Sequence, residues 1–359
     1  MIFSCSEKET TPIKCQDANT LAIDQRDFHM GFTTWPYGPE LADVVDTYNF
    51  IESNADIYAH HLDNKIPWKA WINDTAIPDE FVNDINYRIA NKIESNKLLL
   101  SISLLNTDRD DLLEDYDGSR PTYTALNDKQ IEDAYFKHVD FLISRFQPDY
   151  VVLAIEVNEL MIKPENKWDE YVLLMNKVRT RIKNKYPNIP QSESITLHNW
   201  FNPNVSNPEE FIAKITQFVN NLDFVCISYY PYFKEQHTRA DFQEAFDFLH
   251  EQTQKPIAFV ETANLAEDLY IDALNVDIKS NTCEQSAYLN TLLQNAQNHN
   301  YEFIIWWAHR DYDALWETFP DEVKDIGKIW KDTGLLDENG NERPAYHLWK
   351  KALELESSN

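Results

Sequence analysis

Two hydrophobic runs of this chain each lead to a glutamate. "DYVVLAIEVNEL" contains Glu159 and "KPIAFVETANL" contains Glu261. Each run is rich in β-branched residues and nearly free of polar ones until its C-terminal tip, which predicts a buried parallel strand. A carboxylate at such a tip is costly to bury and adds nothing to the strand, so chemistry is the better explanation. Two carboxylates on different strands of one barrel are what hydrolysis of a glycosidic bond requires.

Strand-like runs and longer amphipathic segments alternate along the chain after a polar leader. Eight such repeats over 359 residues predict an α/β fold, a (β/α)8 TIM barrel, better than a doubly wound sheet. We expect residues 1–20 to be the leader and residues 21–359 to be a single catalytic barrel. The predicted strands are Phe28–Thr34, Ala55–His60, Leu98–Leu105, Tyr150–Val157, Ser194–His198, Phe224–Tyr230, Ile257–Glu261 and Phe303–Trp307.

Polar and aromatic residues collect where these strands end. Active sites of (β/α)8 barrels lie at the C-terminal ends of the strands, so these side chains are expected to meet. They are Trp35, His60, His61, Asn158, Glu159, His198, Tyr230, Glu261 and Trp307.

The positions of the two glutamates along the predicted strands resemble those in a known group of enzymes. Asn158 and Glu159 end the fourth predicted strand and Glu261 ends the seventh. In this the chain resembles the clan GH-A glycoside hydrolases, which have an Asn-Glu pair after strand four and a second Glu after strand seven. Within the clan, "ISYYPYF" (Ile227–Phe233) and "FVETANL" are most similar to the family 53 arabinogalactan endo-β-1,4-galactanases.

The resemblance implies Glu159 as general acid/base and Glu261 as nucleophile of a retaining reaction, which needs the two carboxyls about 5–5.5 Å apart. The charge of Glu261 and partial burial would raise the pKa of Glu159. Asn158 would hydrogen-bond the sugar 2-hydroxyl, or else simply close a turn. Glu156 is a rival acid, but it lacks a preceding Asn and is expected to form a polar layer inside the barrel.

Aromatic residues complete the implied sugar site. Tyr230 could hold Glu261 ionised and oriented, or merely pack, whereas Tyr229 has the opposite strand parity and is expected to be structural. Trp307 matches the strand-eight Trp that floors the sugar subsite, since a flat indole stacks on the apolar face of a pyranose. Trp306 is expected to face away and pack under a helix.

Histidines follow two of the strands. One of the adjacent His60 and His61 is expected to bind sugar hydroxyls, although both could be structural, and His198 has the same two alternatives. Metal-dependent barrel hydrolases place an HxH motif after strand one, and "FHMG" supplies one His there. We therefore predict no catalytic metal.

Further tryptophans suggest a cleft with several subsites. Trp35, Trp68 and Trp200 are candidates for outer subsites, with plain packing as the alternative. Several Trp along the strand ends favour endo action. Exo action stays open if a long loop, such as Asn106–Asn127 or Ala308–Asp332, blocks one end.

Composition excludes other functions. The formal charge of −28 argues against nucleic acid and anionic membranes, because neutralising phosphates needs Lys and Arg. It also disfavours a strongly anionic polysaccharide. With six glycines and no GxGxxG or Walker motif, nucleotide cofactors are not expected. We predict a monomer with a carbohydrate substrate and no cofactor.

The four cysteines form no CxxC and no evident disulfide framework, and Cys226 is expected to be an inert core residue. Cys5, in "IFSC", resembles the end of a bacterial lipoprotein signal, although the preceding charged and apolar segments are absent. Either the start is placed late or the likeness is accidental, and we favour the first. An extracytoplasmic protein is predicted, an outer-membrane lipoprotein or a secreted one, whose only membrane contact would be a lipid on Cys5.

The sequence thus predicts a retaining hydrolase of β-glycosidic bonds in a neutral polysaccharide or oligosaccharide. Two other classes stay open. One is a non-catalytic barrel that binds glycans at the cell surface, against which the intact glutamate pair argues. The other is a metal-dependent amidohydrolase.

Overall fold

Nine parallel strands form a nearly closed barrel in the computed structural model, which describes residues 15–163 and 167–355. The sheet order is β5-β4-β3-β2-β1-β11-β8-β7-β6, and Glu193 alone separates β5 from β6. The two sheet ends therefore belong to one interrupted strand, which confirms the predicted (β/α)8 barrel. The strands are β1 His29–Thr33, β2 Ile57–Leu62, β3 Lys97–Ile102, β4 Tyr150–Val152, β5 Gln191–Ser192, β6 Ser194–Thr196, β7 Val225–Tyr229, β8 Ile257–Thr262, β9 Leu269–Ile271, β10 Val276–Ile278 and β11 Phe303–Trp306. The strands β9 and β10 form a separate antiparallel pair.

Helices connect the strands, and their ends follow capping chemistry. The Asn281 side chain accepts from the first backbone N–H groups of one helix, and Thr238 and Asp241 form a capping box on another. None of the described helices is long and apolar enough to cross a bilayer. The helices are α1 Cys15–Ala18, α2 Leu41–Asn54, α3 Trp68–Asn73, α4 Asp79–Ala90, α5 Lys129–Phe146, α6 Trp168–Lys185, α7 Leu197–Phe201, α8 Pro208–Val219, α9 Arg239–Gln252, α10 Thr282–His299, α11 Asp313–Trp316, α12 Asp321–Gly327 and α13 Pro344–Leu353; short 3-10 helices span Val157–Met161, Pro231–Lys234, Asp272–Leu274 and Lys328–Trp330.

Two apolar layers hold the barrel together. The larger lies between the strands and the helices. The smaller draws on alternate strand positions, as expected for side chains that point to the barrel axis. Gly31 occupies such a position on β1, and a Cβ there would lie 1.7 Å from the carbonyl oxygen of Ile57. The inner layer consists of Ile57, Ala59, Leu99, Tyr150, Val152, Ile155, Phe224, Cys226, Ala258, Val260, Phe303 and Ile305.

The fourth and fifth strands end earlier than the sequence predicts, and the site residues beyond them lie in helices. The fourth was expected to reach Val157, but β4 ends at Val152 and Glu156 adopts a left-handed backbone with φ 54°. That turn starts the 3-10 helix Val157–Met161. The fifth was expected to reach His198, but β6 ends at Thr196 and His198 lies in the first turn of α7.

A disulfide joins Cys15 of α1 to Cys283 of α10, with the two Cα atoms 5.0 Å apart. The expectation that the cysteines form no framework is therefore wrong for this pair. The Asn290 amide also donates to the carbonyl of Thr20 at 2.5 Å, so this part of the predicted leader packs on the barrel. Cys226 is free and buried, as predicted, and Cys5 lies outside the described residues.

The disulfide should contribute measurably to stability. We expect the double variant Cys15→Ser, Cys283→Ser to lose about 2–4 kcal/mol of unfolding free energy, because the unfolded chain gains freedom. Urea denaturation measures this. Cys226 should also react with a thiol reagent in the denatured, unreduced protein, whereas Cys15 and Cys283 should not, because they form the disulfide. A reductant should destabilise the wild type but not the double variant; equal effects on both would contradict the assignment.

Candidate active site

Polar side chains line the mouth of the barrel at the C-terminal ends of the strands. They occupy the inward-facing positions that follow those of the inner apolar layer. His61 follows Ala59 along β2, and Tyr230 follows Ser228 just past β7. Side chains two residues apart on a strand share a face, so both point toward the axis. The mouth is therefore polar where the layer below it is apolar.

Glu261 reaches the mouth through an irregularity in β8. Ile227 pairs with Phe259, but Ser228 pairs with Glu261, so β8 contains one extra residue at this point. A bulge of this kind lets two successive side chains face the same side. Val260 accordingly belongs to the inner apolar layer, and the glutamate contacts mouth residues.

Glu261 is 7% exposed, and two side chains bind its carboxylate. The Tyr230 hydroxyl donates to Oε1, and His61 Nδ1 lies 3.5 Å from Oε2. Burial raises the pKa of Glu261 to about 7, and the negative charge of Glu156 acts in the same direction. His61, Tyr230 and Arg109 oppose the rise. Burial opposes protonation of His61, but Asp63 and Glu261 outweigh it and raise the histidine pKa.

Glu156 is the carboxylate whose negative charge raises the pKa of Glu261. Arg109 Nη2 pairs with Glu156 Oε2 at 2.9 Å, and Ser228 Oγ donates to Oε1 at 2.7 Å. Burial alone would raise the pKa of Glu156, but Arg109 and Ser228 bring it below the ordinary value. The sequence placed this residue in a polar layer inside the barrel. Its bond to Ser228, two residues beyond Cys226 of the inner layer along β7, agrees with that placement.

Glu159 turns toward the neighbouring strand. Its Oε1 accepts from Thr196 Oγ1 and from Asn199 Nδ2, the latter at 2.6 Å. Burial raises the pKa of Glu159, these hydrogen bonds lower it, and the charge of Glu156 raises it further. The glutamate thus borders the mouth from the 3-10 helix, three residues beyond Glu156.

Asn158 is fully buried, and its side-chain amide forms all its hydrogen bonds with one residue, Thr196. Oδ1 accepts from the Thr196 backbone N–H at 2.8 Å, and Nδ2 donates to the Thr196 carbonyl at 3.1 Å. The side chain clamps the 3-10 helix to β6. This placement agrees with the alternative that the residue closes a turn, and its contact with a sugar hydroxyl stays a prediction.

Two indoles line the opposite side of the mouth. The rings of Trp307 and Trp35 lie 5.4 Å apart, and His61 stands edge-on to Trp307 at 5.6 Å. Both indole N–H groups are buried without a hydrogen-bond partner among the described residues. They are donors that a bound ligand could satisfy.

Other predicted site residues lie away from the mouth. His60 has the opposite parity to His61, and its ring packs against Tyr58 and Phe146 at 5.3 and 5.2 Å. Its Nδ1 is 3.1 Å from the Thr34 hydroxyl. The alternation of β2 thus turns His60 toward the helices, and of the two histidines only His61 lies where it could bind sugar hydroxyls.

Two of the three candidate outer tryptophans are core residues. The Trp68 indole donates to the Leu113 carbonyl at 2.8 Å, and the fully buried Trp200 is directed at the carbonyl of Ile212. Trp306 donates to the Thr333 carbonyl at 2.9 Å and packs under a helix, as predicted. Tyr229 likewise bonds Gln236 and not the mouth.

The acidic clusters beyond β11 form ion pairs with arginine and lysine side chains of the protein. Within the described residues, Asp311 shares two groups of carboxylates whose oxygens lie within 4.8 Å of one another. Arg343 pairs with Asp311 at 2.7 Å, and Lys331 pairs with Asp313 at 2.6 Å. These clusters therefore have internal charge compensation.

The mouth gives its carboxyls different pKa values. The pKa of Glu156 is lowered, whereas burial raises the pKa of Glu159 and of Glu261. Environments that separate the pKa values of neighbouring carboxyls allow one to act as an acid and another as an ionised group.

Solved structures share this fold. The catalytic domain of a GH53 protein from Ignisphaera aggregans has a TM-score of 0.59 and 15% identity, covering 96% of this chain and 99% of that chain. A GH5_18 protein from Bifidobacterium longum subsp. longum, in complex with Manβ1-4GlcNAc, has a TM-score of 0.66 and 14% identity, covering 92% and 79%. An exo-β-1,4-mannosidase from an Opitutaceae bacterium has a TM-score of 0.64 and 11% identity, covering 96% and 62%. No curated protein sequence matches the chain significantly.

The sequence itself matches a family model over its barrel. Residues 137–349 match the model of glycosyl hydrolase family 53, which is more than half of the 359 residues. The matched range contains Glu156, Glu159 and Glu261. The chain belongs to glycosyl hydrolase family 53 and is an O-glycosyl hydrolase of the clan GH-A type.

Proposed function

We propose that the enzyme cleaves β-glycosidic bonds in a neutral polysaccharide or oligosaccharide with retention of configuration, by double displacement and mainly in endo fashion. The observation that carries this proposal is that two glutamates with different partners border one mouth. Tyr230 and His61 bind Glu261, and Thr196 and Asn199 bind Glu159. Two carboxyls in separate environments are the requirement of this reaction.

Glu261 acts as the nucleophile in this proposal. Its carboxylate attacks the anomeric carbon, the bond to the leaving oxygen breaks, and a glycosyl-enzyme forms. The Tyr230 hydroxyl and His61 orient the carboxylate and favour its ionised form. Trp307 and Trp35 offer two free indole donors and a flat surface beside it, which suits a sugar ring.

Glu159 supplies the proton in this proposal, as the sequence suggested. Burial raises its pKa, which suits a group that must be protonated in the first step. After the leaving group departs, ionised Glu159 takes a proton from the attacking water.

Glu156 is the second candidate for this role, because its charge acts on Glu261. Its ion pair with Arg109 lowers its pKa and favours the ionised form, which suits an acid less well. The two assignments differ in which glutamate the reaction requires.

Removing the nucleophile should stop the reaction. We expect Glu261→Ala to lower kcat by roughly 10³-fold or more, because no covalent intermediate can form. Added azide should restore a little activity and give a glycosyl azide of inverted configuration, which NMR of the product detects. Ordinary activity in this variant would exclude the double displacement proposed.

Leaving-group dependence should separate the two acid candidates. We expect Glu159→Gln to lose about 10²–10⁴-fold on an oligosaccharide but far less on a dinitrophenyl glycoside, whose departure needs no proton. The matched variant Glu156→Gln should affect both substrates alike. Kinetics on the two substrates measure this. The reverse pattern would assign the acid to Glu156.

The acid limb of the pH profile of kcat/KM should reflect the ionisation of Glu261. Its pKa near 7 means that kcat/KM should rise with pH as the nucleophile ionises. The Tyr230 hydroxyl lowers that pKa, so Tyr230→Phe should move the limb to higher pH by about one to two units. His61, Arg109 and Glu156 are the other charged groups that act on it.

The matched control is Tyr229→Phe, whose hydroxyl bonds Gln236 outside the mouth. This variant should leave the limb in place. An unmoved limb in Tyr230→Phe would show that the ionisation seen in kcat/KM belongs to another group.

We propose that the enzyme works outside the cytoplasm. The disulfide between Cys15 and Cys283 supports this, because such bonds persist in oxidising compartments. Anchoring through Cys5 belongs to the same proposal and concerns a residue outside the described ranges.

A further inference from the structure

Thr196 precedes the helix α7 but does not cap it with its side chain. It occupies the N-cap position, where a threonine hydroxyl normally accepts a backbone N–H of the first turn. Within the described residues no such hydrogen bond forms at α7. The Thr196 hydroxyl donates instead to Glu159 Oε1. A side chain placed to stabilise a helix thus binds a carboxylate at the mouth.

Asn199 lies three residues after Thr196, in the first turn of α7. From this position a side chain can reach back to the backbone N–H of the N-cap residue. That N–H is already bonded, because it donates to Asn158 Oδ1 at 2.8 Å. Asn199 Nδ2 donates to Glu159 Oε1 at 2.6 Å. The start of the helix therefore directs a second donor to the same carboxylate oxygen.

Asn158 fixes the direction of the Thr196 hydroxyl. Its Nδ2 donates to Thr196 Oγ1 at 3.1 Å, so this oxygen already accepts one hydrogen bond. The hydroxyl hydrogen then has two possible acceptors, Glu159 Oε1 and Asn158 Oδ1, of which the second is farther away at 3.3 Å. Thr196 and Asn158 are both buried, so bulk water does not compete for these bonds. A chain of hydrogen bonds therefore runs from Asn158 through Thr196 to Glu159.

The two oxygens of the Glu159 carboxyl therefore differ. Oε1 accepts from two donors, whereas Oε2 receives no hydrogen bond from the described residues. A protonated carboxyl carries its proton on one oxygen and keeps its acceptor capacity on the other. Because Thr196 and Asn199 both point a hydrogen at Oε1, the proton of the acid form belongs on Oε2.

We propose that Thr196 and Asn199 are positioning residues that select Oε2 of Glu159 as the atom that gives and takes the proton. The inference rests on the proposed function, in which Glu159 is the general acid/base. In the first step the proton on Oε2 passes to the leaving oxygen as the bond from that oxygen to the anomeric carbon breaks, and the O–H electron pair stays on Oε2. In the second step a proton of the attacking water moves to Oε2 while the bond between the sugar and Glu261 breaks.

Two leaving groups on one enzyme test this role. The probes are the oligosaccharide and the dinitrophenyl glycoside that the wild type cleaves best in panels of gluco-, galacto- and manno-configured β-linked substrates. We expect Thr196→Val to lower kcat/KM for the oligosaccharide about 10- to 100-fold and for the dinitrophenyl glycoside less than about 3-fold, because only the first needs the proton. Thr196→Ser keeps the hydroxyl and should recover the wild-type value to within about 3-fold. Asn199→Leu, at a less buried position, should show the same selective loss.

The alkaline limb of the pH profile of kcat/KM provides a reading that a merely structural role would not move. The acid must be protonated, so activity falls as the pH rises through the pKa of Glu159. The hydrogen bonds from Thr196 and Asn199 lower that pKa, and Thr196→Val should therefore move the limb to higher pH by about one unit. The titratable groups on the elements around this carboxyl are Glu156, Lys163, Lys234 and His198, the last with a pKa that burial lowers to about 4.

Infrared spectroscopy measures the same arrangement without turnover. A C=O bond whose oxygen accepts hydrogen bonds absorbs at lower wavenumber than a free one, and Oε1 is the C=O oxygen when the proton is on Oε2. The band of protonated Glu159 is the one that disappears when Glu159→Gln is introduced into the same protein. It should lie at higher wavenumber in Thr196→Val than in the wild type, and an unmoved band would contradict the selection of Oε2.

A matched control is Thr47→Val, because Thr47 is fully buried and its hydroxyl bonds the Asp43 carbonyl of its own helix, α2, at 2.8 Å. It should leave both substrates and the alkaline limb unchanged. Equal losses on both substrates with an unmoved limb in Thr196→Val, or no loss on either, would overturn the positioning role. A Glu159→Gln variant without dependence on the leaving group would instead overturn the acid of the proposed function, so the two failures are distinguishable.

Discussion

Repulsion between two buried carboxylates is the constraint on which the site depends. An uncompensated charge in a protein interior costs several kcal/mol, and Glu156 and Glu261 are each removed from most of the solvent. The protein offsets this with Arg109 on the first and with His61 and Tyr230 on the second. These partners come from chain segments after three different strands, so the carboxyls can be compensated only when the barrel is closed.

The register of one strand makes this compensation possible. Side chains alternate along β8, and Val260 already occupies the inner apolar layer. In a regular strand the next residue, Glu261, would face the helices, where an ionised group has no partner. The extra residue in β8 turns it to the axis instead, and Thr262 resumes the outward position with a bond to Tyr229. A local irregularity therefore decides which layer receives the charge.

The barrel was predictable because its signal is periodic. Each of the eight apolar runs became a strand, and helices such as Lys129–Phe146 fell where the amphipathic pattern indicated. Strand ends were less predictable: the chain leaves β4 near Glu156 through a left-handed turn, and no glycine marks it. The 3-10 helix that holds Asn158 and Glu159 beyond this turn was therefore not predicted. Contacts distant in sequence, such as Arg109 with Glu156 or Cys15 with Cys283, have no local signal at all.

The charge of the mouth explains why the proposed substrate is neutral although the site is rich in ionisable groups. At physiological salt, charges more than about 8 Å apart in solvent are screened, so the overall −28 acts mainly on large anionic polymers that approach the surface. Within the mouth, Arg109 is committed to Glu156 and His61 interacts with Glu261. Both cations are thus balanced by a carboxylate, and an anionic sugar would have to displace one of these pairs, whereas hydroxyl groups can bind beside them.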